Sequence, residues 1–111
     1  MEPNDFDLNL DELATGATMR LLGSDCFDLA AFEALYDYLC HKAEALRSEY
    51  VVSKQMLGCL RNASKAIRNQ APHVAAAREN LHLADKFEML LDLIIIGETP
   101  RDRQPGVPRI V

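Results

Sequence analysis

The sequence predicts an all-α fold, an antiparallel helical bundle, and three observations lead there. Apolar or small residues recur at alternating three- and four-residue steps from Phe32 through Tyr36, Leu39, Ala43, Leu46, Tyr50, Ser53, Leu57, Leu60, Ser64 and Ile67 to Ala71. That period near 3.5 is what a helix needs to keep one stripe against a partner, as in a coiled coil. No Gly or Pro interrupts the chain between Ser24 and Leu57. With only five Gly, five Pro and no Trp in 111 residues, the turn formers of a strand-rich architecture are too few.

The first helix is predicted from Asn9 or Asp11 to Leu22, with Leu10, Leu13, Ala17 and Leu21 on one face. Asp11 and Glu12 suit its positive N-terminus, and Gly23 is the natural stop. Residues 1–7 are acidic and read as loose, with Phe6, Leu8 and Leu10 alternating as an extended segment would. Asp28 is a good N-cap for a second helix from Leu29, and Phe27 before it can staple onto Phe32. The seam keeps its phase past Tyr50, so one long central helix to Gln70 is possible; Pro72 imposes the stop.

A third helix is predicted from Pro72 or His73 to Ile96, with Val74, Ala77, Leu81, Ala84, Phe87, Leu91 and Ile94 or Ile95 inward. Pro72 fits its first position and Gly97 its end. The greasy run Met89–Ile96 reads as buried core, far short of the roughly 20 residues of a membrane helix. Residues 1–97 thus form a single helical domain. Residues 98–111, with three prolines and three arginines, form an extended C-terminal tail.

The formal charge of −5 hides strong blocks. Residues 1–49 carry eleven acids against three bases, residues 50–78 five bases and no acid, and residues 79–100 five acids against Lys86. Lys54, Arg61, Lys65 and Arg68 each follow a seam residue and line one flank; Glu33, Asp37 and Glu44 occupy that flank in the first half. Reversing the element about Tyr50–Val51 sets Glu33 near Arg68 and Asp37 near Lys65. Two structures satisfy that pairing: a hairpin within one subunit turning at residues 48–53, or a continuous helix antiparallel to a second copy across a two-fold axis. Seam burial supplies the stability and the charges select the orientation, since an exposed pair adds only about 0.2–1 kcal/mol.

No catalytic, cofactor or metal motif emerges. Cys26, Cys40, Cys59, His41, His73 and His82 lack CxxC or HxxxH spacing, and the odd, irregular cysteines suit buried thiols in a reducing compartment. GxSxG, HExxH and a Gly-rich phosphate loop are missing, so no enzyme activity is expected. The acidic N-terminus lacks the basic start of a secretory signal, and the expected location is cytoplasmic.

The sequence therefore predicts a small protein–protein interaction protein: a self-associating adaptor, a regulator, or a neutralising partner such as a chaperone or immunity-type protein, with a homodimer as the expected assembly. Its expected interaction residues are Phe32, Tyr36, Leu39, Leu46, Tyr50, Leu57, Leu60 and Ile67 on the seam, with Glu33, Asp37, Lys65 and Arg68 as the orienting charges. The alternative is a DNA-associated regulator presenting Lys54, Arg61, Lys65 and Arg68 to phosphates. The acidic whole disfavours it.

Overall fold

Three helices each begin on a short side chain that accepts a backbone N–H, and these caps decide where the chain bends. The computed structural model describes residues 6–100, which form α1 (Leu8–Ser24), α2 (Leu29–Ala45), α3 (Lys54–Gln70), α4 (Ala75–Glu79) and α5 (Leu81–Ile95), with no strand among the described residues. Asp7 accepts from Leu10 N–H, Asp28 from Ala31 N–H and Ser53 from Met56 N–H. Phe27 stacks on Phe32 at 5.1 Å between ring centroids, so the staple at the start of α2 forms.

The seam does not run through one unbroken rod. The chain turns between Leu46 and Ser53, the region the hairpin alternative requires. Leu46 and Glu49 close the last turn with tight bonds to Ala43 and Leu46 carbonyls, and the buried Ser53 hydroxyl starts α3. No Gly or Pro is needed: a cap at Ser53 and the weak helix formers Tyr50, Val51 and Val52 suffice. Unbroken, residues 29–70 would make a rod about 60 Å long with most of its seam beyond the reach of α1 and α5.

Other boundaries shift for local reasons. Helix α1 starts at Leu8, not Asn9 or Asp11, because Asp7 is its cap, so Leu8 and Leu10 are helical and not extended. It runs through Gly23 and ends on Asp25 at φ 53, a left-handed position that Asp tolerates. Pro72 ends α3, but the predicted third helix divides at Asn80, whose side-chain amide donates to the Ala76 carbonyl at 2.7 Å and competes with the helix. Helix α5 closes on Gly97 at φ +78, with Glu98 N–H reaching back to the Leu93 carbonyl at 2.8 Å.

Helix α1 packs against both α2 and α3, and α3 packs most extensively on α5, which also touches α2. Phe32, Leu35, Leu39, Leu60, Ile67, Phe87 and Leu90 meet in one core between them. Phe87 sets its ring edge-on to Phe32 and Tyr36, and Lys86 lies over the Tyr36 ring at 4.5 Å. The predicted tail falls almost entirely on residues 101–111, outside the described residues.

One polar clamp joins three helices at the base of α1. The Asp7 carboxylate accepts from Tyr38 Oη at 2.7 Å and pairs with Lys42 at 3.2 Å, while Gln55 exchanges two 2.9 Å hydrogen bonds with the Asp7 backbone. The Asp7 and Lys42 side chains are only 12% and 11% exposed. Burial pushes the Asp7 carboxyl up, but hydrogen bonds from Tyr38, Leu10 N–H and Lys42, with the Lys42 charge, outweigh it and hold it below the usual 3.8. A carboxyl more acidic when folded contributes stability that is full above the unfolded value near 3.8 and lost as pH falls through the lower folded value. Asp7→Asn, which keeps the cap but strands Lys42, is expected to cost about 2 kcal/mol at pH 7 and to flatten the acid limb of a urea-denaturation series taken from pH 6 to 3.

Candidate functional site

The most exposed large hydrophobic side chain of the described residues stands at the turn that breaks the seam. Leu46 and Ser53 are both buried and pin the two ends of the turn, so residues 47–51 project outward and Tyr50 is fully exposed (102%). Across from it, α5 ends in Ile94–Ile95 and is followed by its cap, Ile96. Between them lies an open groove of about 750 Å³, walled by Tyr50, Val52, Leu57, Ile94, Ile95 and Ile96.

Helical geometry explains why α5 contributes apolar surface here. Along Met89–Ile96 every residue but Asp92 is apolar, yet a helix of period 3.6 turns only one stripe inward. Leu90 and Leu93 take the core, while Met89 (61%), Ile95 (68%) and Ile96 (56%) face outward. The run is therefore only partly the buried core that its composition predicts. Ile96 also lines a depression of about 480 Å³ with Met89, Asp92 and Leu93, so the apolar surface continues from the groove along α5.

The charges separate by helix. Lys54, Arg61, Lys65 and Arg68 are all exposed along α3. Arg68 is committed to α5: its Nε lies 2.6 Å from Glu88, and it also binds Asp85. Glu88, held further by the buried Ser64 hydroxyl, is thereby kept below the usual carboxylate range, chiefly by the Arg68 hydrogen bond. Among the described residues Lys54, Arg61 and Lys65 pair with no acid, and the exposed Glu33 and Asp37 of α2 pair with no base.

The expected interaction residues thus divide. Phe32, Leu39, Leu46, Leu60 and Ile67 are buried in the chain's own core, Tyr36 is half-buried against it, and the half-buried Leu57 lines the groove. Of the seam only Tyr50 lies open. The pairings Glu33–Arg68 and Asp37–Lys65 do not form, because α2 and α3 are bridged by α1 on one side and α5 on the other, and Arg68 meets α5 acids instead. Met89, Val51, Ile95 and Ile96 are surface residues that the seam did not single out; treating Met89–Ile96 as one helical face at a time would have found three of them.

Among the described residues no three His, Cys, Asp or Glu side chains converge as metal ligands, and no helix is long and apolar enough to cross a membrane. The cysteines differ in access: Cys26 is exposed, whereas Cys40 and Cys59 are half-buried. Burial is the main cause that pushes both inner thiols up, with nearby acidic charge adding to it. Iodoacetamide at neutral pH should therefore modify Cys26 well before the other two, with mass-spectrometric peptide mapping following the order.

Comparison of the chain with family models, with curated proteins and with solved structures found no match in any of the three.

Proposed function

We propose that this chain works by protein association, as a small helical adaptor, regulator or neutralising partner, and that the face it offers is the apolar surface running from Tyr50 across the groove to Ile95, Ile96 and Met89. The observation that carries the reading is that continuous exposure. Large apolar side chains scattered singly on a surface need no explanation; several lining one groove at the end of a helix do. Aromatic residues with aliphatic neighbours in a shallow depression are also what the centres of protein interfaces contain.

Charge supports the same reading. The unpaired acids of α2 and bases of α3 give the chain two surfaces of opposite sign, which steer an encounter and fix its orientation more than they add affinity. A full-length tagged chain expressed in its source cell is expected to hold a stoichiometric protein partner, its own copies included, and Ile96→Lys is expected to release that partner without changing the helical circular dichroism. Retention of no protein by the wild-type chain, or equal retention by the variant, contradicts the reading.

A second reading, DNA association, draws on the exposure of Lys54, Arg61 and Lys65 with no acid beside them. Three phosphate contacts would give a log–log salt dependence with a slope of roughly −2.7 on duplex DNA, abolished by Arg61→Glu with Lys65→Glu. No mobility shift at 20 mM salt disposes of it.

A further inference from the structure

We propose that the acidic face of α2 is the docking site for the chain's own residues 101–111, with Arg101 and Arg103 laid along Asp37 and Glu33. Past α5 the described chain crosses back to α2: Thr99 is 1% exposed and donates to the Glu44 carboxylate, and Pro100 lines a depression with Cys40, His41 and Glu44. Steps of four and three residues put Glu33, Asp37, Cys40 and Glu44 on one stripe of the helix. Thr99 and Pro100 lie at the Cys40 and Glu44 end of that stripe. Its other end, Glu33 and Asp37, is exposed and pairs with no base among the described residues; Lys86 of α5, over the neighbouring Tyr36 ring, pairs with neither.

Charge and spacing name the occupant. The segment that starts at this point carries Arg101, Arg103 and Arg109 against the single acid Asp102. An extended chain advances about 6.6 Å over two residues and a helix about 6 Å over four. Arg101 and Arg103 therefore match the spacing of Asp37 and Glu33 when the segment runs toward the N-terminal end of α2, and alternation turns Asp102 to the other side. Exposed ion pairs are weak singly. Here the burial of Thr99 tethers the segment beside its site, so docking is an intramolecular step at high effective concentration. Docked, the segment neutralises the α2 acids and leaves the bases of α3 as the open charge. The groove at the 46–53 turn stays outside the contact, so this inference does not rest on the association reading.

The test uses the full chain with benzoylphenylalanine in place of Pro105, two residues beyond Arg103, irradiated in a mixture of ¹⁵N- and ¹⁴N-labelled chains. Cross-links within one chain to residues 29–37 are expected, and they should fall about tenfold or more in Arg101→Glu with Arg103→Glu, and likewise in 1 M NaCl, with the helical circular dichroism unchanged. Adding Glu33→Arg and Asp37→Arg to the charge-reversed segment should restore them, which general damage from either pair of changes would not do. Cross-links that scatter over the surface, gather on residues 47–57 or 94–97, or join two isotopes overturn the proposal. So do an absence of cross-links, a yield indifferent to charge reversal, and a swap that restores nothing. None of these outcomes bears on the partner capture that Ile96→Lys tests, so the association reading is judged separately.

Discussion

The arrangement depends on α1 lying between α2 and α3, and the Asp7 clamp is what fixes it there. One residue caps α1, accepts from Tyr38 and Lys42 on α2, and exchanges backbone bonds with Gln55 on α3. Hydrophobic burial of Leu10, Ala17 and Leu21 drives α1 inward but is tolerant of sliding along the axis. Directional hydrogen bonds from two other helices, at one nearly buried point, set the register. Their value is high because a carboxylate and an ammonium with so little water around them are costly when either loses its partner.

With α1 inserted, the two halves of the seam face inward toward α1 and α5 and hardly meet each other. That insertion turns outward the flanks whose charges would have paired in a simple hairpin. Arg68 escapes because α5 supplies Glu88 and Asp85 at the right turn of the helix, and buried Ser64 completes the link. Thr99 ties the chain beyond α5 back to Glu44 of α2. The fold is therefore closed at both ends by polar contacts between helices distant in sequence, and the faces of α2 and α3 remain charged and unneutralised by one another.

Much of this was legible in the chain. The helical class, the cap at Asp28, the Phe27–Phe32 staple, the stop at Pro72 and the Gly97 terminus follow from local rules, and the structure contains each of them. The break at residues 46–53 was legible only as one of two alternatives, since the seam keeps its phase across it. A period of 3.5 says that residues share a partner, not whether the partner is another copy, the other half of the same helix, or helices elsewhere in the chain. Asp7 was hidden for a different reason: its three partners lie 31 to 48 residues away, and a cap four residues before the obvious acidic first turn looks like part of an acidic tail.

The candidate surface was half visible for a physical reason. Tyr50 sits on the seam by spacing but off it in space, because Ser53 restarts the helix after a turn and the ring is thrown outward. Packing does not account for a tyrosine there: no burial rewards it, and Leu46 and Ser53 hold the turn without it. The same holds for Ile95 and Ile96, which lie past the last core position, Leu93, and add exposed apolar area that a lysine or glutamine would not. The fold itself leaves three large apolar side chains exposed around one groove, and the proposed association rests on that exposure.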